Sequence, residues 1–196
     1  MQLAHTAASA FWESSSPEPA RAGLGMKWNI DPTHSQVQFS VRHMGLSTVR
    51  GSFGQLSGVI DEENGRVEGA EADIDIASIS TNQQGRDDHL RGADFFDVAT
   101  YPTAHFTLIK ADRSGAELTV TGDLRIRGVT KSVTLKGELA GPAKDPWGNT
   151  KVSASVEGKI SRKEWGLVWN QTLETGGLLV SDDVKLAIDV QAVSAA

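Results

Sequence analysis

A chain of 196 residues, 39% hydrophobic and 22% charged, has the composition of a globular protein with room for one full core. A net charge of −6 without any basic run excludes a surface that tracks nucleic-acid phosphates. No apolar run approaches the length needed to cross a bilayer, and the absence of cysteine removes disulfides, thiolate chemistry and cysteine metal sites.

Residues 1–25, MQLAHTAASAFWESSSPEPARAGLG, combine small and polar residues around Ser14-Ser15-Ser16-Pro17-Glu18-Pro19. They lack the basic start and sustained apolar stretch of a secretory signal. The expectation is a disordered extension, with Met26 as a candidate start of translation, a cytoplasmic location, and one domain over residues 26–196.

From Trp28 the chain alternates with a period of two. Val37, Phe39 and Val41 point one way, and Gln36, Gln38, Ser40 and Arg42 the other. Gly51–Ile60, GSFGQLSGVI, reads as one further strand whose glycines suggest bulges or close backbone contact. Asn64-Gly65 is a hairpin turn signal, after which Ala72, Ile74 and Ile76 alternate with acids.

Thr81–Pro102, TNQQGRDDHLRGADFFDVATYP, interrupts the pattern. Asp87 and Asp88 suit the first turn of a short helix, continued by His89, Leu90 and Arg91 and stopped at Gly92. A second turn carries Phe95 and Phe96, and Pro102 restores an extended chain. Two adjacent phenylalanines in such a segment need cover, so it is expected to lie as a lid over a barrel mouth.

Alternation then resumes. Phe106 and Leu108 face inward, Ser114-Gly115 turns the chain, and Leu118, Val120, Leu124 and Ile126 follow, with Arg125 and Arg127 outward. Gly128–Lys131 reads as a turn, Val133 and Leu135 as strand, and Gly141–Thr150 as a polar loop. Val152, Ala154 and Val156 precede a break at Ser161–Glu164. In Ile160–Asn170 the residues Trp165, Leu167 and Trp169 share one face of a short strand, either as core or as the wall of a ligand channel. Val184, Leu186, Ile188 and Val190 mark a last strand, Asp183–Val190.

About eight strands with short connections give an all-β antiparallel meander with one buried face. No helix is long enough to cover that face, so the expected architecture is an eight-stranded barrel with a short helical lid. A two-sheet sandwich is the alternative. Period-two patterning leaves open whether such a barrel is hollow or filled.

The histidines at 34, 43 and 89, with Asp31, Asp87 and Asp88, match no metal-ligand spacing, so no metal and no catalytic residue is assigned. No serine lies in a G-x-S-x-G setting, and the glycine-rich stretch lies within a strand rather than before a helix. An enzyme built on the His/Asp cluster, or an interaction scaffold with a filled barrel, are the competing classes.

Several segments together resemble a known family. Trp28-x-Ile30-Asp31-x-x-His34-Ser35, Phe39-x-Val41-x-His43 and Gly51-x-Phe53 open the resemblance. Ser78-Ile79-x-Thr81, Asp88-His89-Leu90, Asp94–Asp97 and Tyr101-Pro102-x-x-x-Phe106 continue it, and Gly122–Lys131 and Ser161-Arg162-x-x-Trp165-Gly166-Leu167 complete it. From Met26 to about Val193 the chain resembles the YceI-like lipid- or polyisoprenoid-binding proteins. The resemblance implies a lipocalin-like barrel, often a homodimer, that holds an isoprenoid chain such as a quinone tail or another lipid, with no catalytic cofactor. Many relatives are exported, which residues 1–25 do not match, and the aromatic residue usual at the second position after Arg162 is shifted or replaced here, in Arg162-Lys163-Glu164-Trp165.

Inward phase, lid and resemblance together nominate the ligand-binding residues. They are Phe39, Val41, Phe53, Ile74, Ile76, Leu90, Phe95, Phe96, Phe106, Leu108, Leu124, Ile126, Trp165, Leu167, Trp169, Leu186 and Ile188.

Overall fold

Period-two alternation becomes β-strand over most of the chain in the computed structural model, which describes residues 25–174 and 176–195. The extension expected over residues 1–25 lies, Gly25 apart, outside these residues. In chain order the strands are β1 (Met26–Ile30), β2 (Gln36–His43), β3 (Ser47–Phe53), β4 (Leu56–Glu63), β5 (Arg66–Asp75) and β6 (Ile79–Ser80). Helix α1 (Gln84–Arg91) follows, then β7 (Thr103–Ser114), β8 (Glu117–Ile126), β9 (Val129–Lys144), β10 (Thr150–Ser161) and β11 (Val180–Ser194).

The register reduces these eleven strands to eight wall positions. β11 pairs with β2 along its first part and with β1 along its last, while β4 pairs with β1 and β3 with β2. β1 and β2 are therefore one interrupted strand, as are β3 with β4 and β5 with β6. All pairings are antiparallel, each position neighbours the next in sequence, and β11 closes the ring against β1 and β2. The result is an up-and-down barrel, as the one-sided alternation requires when no helix covers the sheet.

The interruptions explain where a simple reading of the pattern fails. Gly51–Ile60 is not one strand. The Ser78 hydroxyl accepts hydrogen bonds from the amides of Gly54 (3.1 Å) and Gln55 (3.3 Å), which takes both out of the ladder. The break also reverses the phase, so Phe53 and Leu56 are both buried although three residues apart. The loop after Ile30 does the same, anchored by the Asp31 amide on the Gln191 carbonyl (2.8 Å).

Four other boundaries move. The expected turn at Gly128–Lys131 is the pair Arg127 (φ 49°) and Gly128 (φ 74°), and Val129 already belongs to β9. Positive φ at both central residues matches the twist of the flanking strands, as at Asn64-Gly65. The expected loop Gly141–Thr150 contracts to 145–149, because the Asp145 carboxylate accepts from the amides of Trp147 (3.0 Å) and Asn149 (2.9 Å) and from the Asn149 side chain (3.0 Å). β11 extends beyond Asp183–Val190 at both ends, because its extra residues find partners in β2 and β1. Trp165, Leu167 and Trp169 lie on no strand. Trp165 ends a 3-10 turn, Arg162–Trp165, and Gly166 follows in the left-handed conformation at φ 74°, which breaks the extended path.

Helix α1 begins at Gln84, capped by the Gln83 side chain accepting from the Arg86 amide, which places Asp87 in the first turn as expected and Asp88 just beyond it. It stops at Gly92 as expected. Asp87 points back instead and accepts from both the amide and the hydroxyl of Thr81.

Candidate functional site

The walls enclose a cavity of about 1580 Å³. Drug-sized pockets run to ~300–1,000 Å³, so this volume suits a longer molecule. Wall strands of 12 to 16 residues, such as β7 and β9, rise ~3.4 Å per residue along each strand. With the ~40° tilt of such barrels the tube is on the order of 30–40 Å tall.

The two ends differ. At one lie the 44–46 turn, the lid over 81–102, the Arg127-Gly128 turn and the 162–179 connection. At the other lie, among the described residues, the short turns after β4, β7 and β9 and the ends of β1 and β11. The cavity reaches this second rim, where Met26 (44% exposed) and Ile109 (59% exposed) line it among Arg66, Lys110 and Arg113.

The lid end is closed by aromatic contact. The Phe96 ring meets Phe53 edge-on at 5.8 Å, and Phe53 meets Phe39 at 5.6 Å. Phe95 instead packs on Trp169 at 5.2 Å, with the His89 ring edge-on to both at 5.1 and 4.7 Å. The neighbouring phenylalanines thus seal different sectors of the same mouth. Hydrogen bonds hold the segment in place: the Arg91 guanidinium donates to the carbonyls of Ala77 (2.9 Å) and Ile79 (2.7 Å). Burial opposes ionisation of Asp87, yet the Thr81 hydrogen bonds and the charges of Arg91 and Arg86 hold its carboxyl below the ordinary range.

The 162–180 side of the mouth is organised by Arg162, only 4% exposed. Its guanidinium donates to the carbonyls of Leu167, Trp169 (2.8 Å), Ser181 (3.0 Å) and Val180 (3.5 Å) and to the Asp182 carboxylate (3.5 Å). Burial pushes its pKa down and Asp182 opposes that. A segment without regular secondary structure keeps its shape because one cation satisfies its carbonyls. Trp165, 1% exposed, donates its indole N–H to the Leu124 carbonyl (2.9 Å) across the tube wall.

All seventeen residues nominated from the sequence line this cavity. Phe39 and Val41 come from β2, Phe53 from β3, Ile74 from β5 and Ile76 from the 3-10 turn that follows it. Leu90, Phe95 and Phe96 come from the lid, Phe106 and Leu108 from β7, and Leu124 and Ile126 from β8. Trp165, Leu167 and Trp169 come from the connection, and Leu186 and Ile188 from β11. Trp28 and Leu56 line it too, and their spacing to Ile30 and Ile60 was a usable signal. The polar residues at its ends, Glu62, Arg66, Arg86 and Arg162 among them, gave no such signal, because alternation marks apolar faces only.

The histidines do not come together. His34 lies exposed in the β1–β2 interruption of the wall, bonded to Asp31 at 2.8 Å, and His43 ends β2 at the lid-end rim, the length of that strand away at about 25 Å. His89 is on the lid, 3.4 Å from Asp94. His105 faces outward and bonds Asp73 at 2.6 Å. Among the described residues no group of three or more His, Cys, Asp or Glu is placed to hold a metal ion.

Comparison with known proteins agrees with this geometry. The chain is 38% identical over 178 residues to Protein YceI of Escherichia coli O157:H7, covering 89% of this chain and 90% of that protein. The crystal structure of the Campylobacter jejuni YceI protein superposes with a TM-score of 0.67 at 35% identity, over 78% of this chain and 88% of that one. A polyisoprenoid binding domain from Saccharophagus degradans shares the fold, with a TM-score of 0.66 at 19% identity over 86% of this chain and 98% of that one. The YceI-like domain model matches residues 28–192, and the chain belongs to the YceI-like family.

Proposed function

We propose that this protein binds one elongated apolar molecule, an isoprenoid chain or a fatty-acid-like lipid, along the axis of its barrel, and carries it without transforming it. The observation that supports this reading is the cavity itself: about 1580 Å³, lined along its length by aliphatic and aromatic side chains from all eight wall positions. Enclosing an apolar chain there removes its surface from water at ~25 cal/mol per Å². Ionisable groups gather at the ends, such as Arg66 and Lys110 at the unlidded rim and Arg86 at the lid, which suits a molecule with a polar head and a long tail. The isoprenoid arm of the reading is supported by the shared fold with a polyisoprenoid binding domain.

Arg91 and the aromatic contacts hold the lid end together, so in this reading the opposite rim is the entrance, and loosening the lid would open a second way out. Mass spectrometry of an organic extract of the purified protein tests the reading. The expected result is a long-chain apolar molecule retained in stoichiometric amount. An extract without one, from protein that also fails to take up added lipid, would refute it.

A further inference from the structure

Among the described residues, at five strand glycines an added Cβ would come within 2.6 Å of a neighbour, and they fall into two kinds. At Gly58 and Gly137 an added Cβ would strike a neighbouring strand's backbone, at 2.2 Å from the Glu71 carbonyl oxygen and 1.9 Å from that of Ser155. These mark places where strands approach too closely for a side chain. At Gly51, Gly122 and Gly158 a neighbouring side chain lies across the bare backbone instead.

Two of these three carry aromatic rings near the lid. A Cβ on Gly51 would lie 2.4 Å from Phe39 Cζ, 2.7 Å from its Cε1 and 2.8 Å from Thr81 Cγ2. A Cβ on Gly122 would lie 2.2 Å from Phe106 Cζ and 2.5 Å from its Cε2. Phe39 sits directly opposite Gly51 on the adjacent strand, and Phe106 is the diagonal neighbour of Gly122. Each ring is laid back against the wall where the glycine leaves room, a known way for an aromatic residue to cover a strand glycine. The two pairs occupy different arcs of the barrel, with the β5–β6 position between them on one side and β9, β10 and β11 on the other.

We propose that these aromatic-on-glycine pairs set the bore of the tube beneath the lid, wide enough to pass the methyl branches of an isoprenoid chain as well as a straight acyl chain. The inference rests on the binding reading above. A phenylalanine that could not lie flat over its partner would project into the lumen, where a branched chain needs more width than a straight one. Gly51 is the informative position, because the three atoms nearest its Cβ would all belong to side chains. At Gly122 the Cβ would also lie 2.6 Å from the Thr107 carbonyl oxygen, so substitution there strains the sheet as well.

Displacement of bound cis-parinaric acid by geranylgeraniol and by oleic acid tests this. Both should displace the probe from the parent. In Gly51→Ala the affinity for geranylgeraniol should fall about tenfold relative to oleic acid, the size of effect expected from overpacking. Adding Phe39→Leu to that variant should restore the ratio, and Phe39→Leu alone should move it towards geranylgeraniol. The single Phe39 variant keeps the test decisive if Gly51→Ala does not fold. Ratios unchanged in these variants, or a parent displaced by oleic acid alone, would overturn the bore assignment while leaving lipid binding standing. A parent displaced by neither would overturn the binding reading and the bore assignment with it.

Discussion

The Asp31 carboxylate accepts hydrogen bonds from the Thr33 hydroxyl (2.6 Å), His34 (2.8 Å) and the Thr33 amide (3.0 Å), which lower its pKa to about 2. Its folded pKa lies below the unfolded value of 3.8, so the stabilisation is present above about pH 4 and is lost as pH falls towards 2. Asp87 is shifted in the same direction, so both loop anchors fail in acid. The melting temperature should therefore fall between about pH 4 and pH 2, and Asp31→Asn should flatten that fall. An unchanged slope in the variant would remove Asp31 from the account. Strand phase has its own test at this scale. Leu124 is buried against Val133 and Trp165, while its neighbour Arg125 is exposed. Leu124→Gln should cost about 2–4 kcal/mol by burying an unsatisfied amide. Arg125→Gln should stay within about 0.5 kcal/mol. Chemical denaturation of the two variants compares them, and equal losses would mean the phase is wrong.

Helix α1 and the turns after it illustrate which elements can be read in a sequence. Their position was legible because Thr81–Pro102 breaks a period that is otherwise kept, and because Gly92 and Pro102 punctuate it. The cap was not, because a glutamine supplies it while Asp87, in the first turn as read, bonds the preceding strand end. The 162–170 segment misled for a related reason. Its apolar spacing of two copies a strand, yet Gly166 turns the chain and Arg162 supplies the carbonyl partners that a sheet would otherwise provide. The lid carries the prediction at this scale. Replacing Phe95 and Phe96 with serine removes two rings, each worth roughly 1.5–3 kcal/mol when buried. Dissociation of a bound fluorescent polyene should speed up while the β-sheet circular dichroism persists. A variant that melts early yet holds the probe as long as the parent would make the pair core rather than lid.

For the whole molecule, closure was legible from eight one-sided segments with no helix to cover them. Hollowness was not. Alternation says which residues face inward and is silent on how far they reach. The width of the lumen depends on pairings across strands, such as Phe39 on Gly51, that only the register reveals. The central claim is that the interior of the tube holds the ligand, and plugging it is the direct test. Ala154 on β10 faces the cavity from the middle of the wall, opposite Leu139 and Val190 on the adjoining strands. Titration of cis-parinaric acid should give saturable binding of one molecule per parent barrel. In Ala154→Phe that binding should be lost while the sheet signal and cooperative melting are kept. A folded Ala154→Phe variant that binds the probe as tightly as the parent would place the ligand outside the barrel and contradict the account.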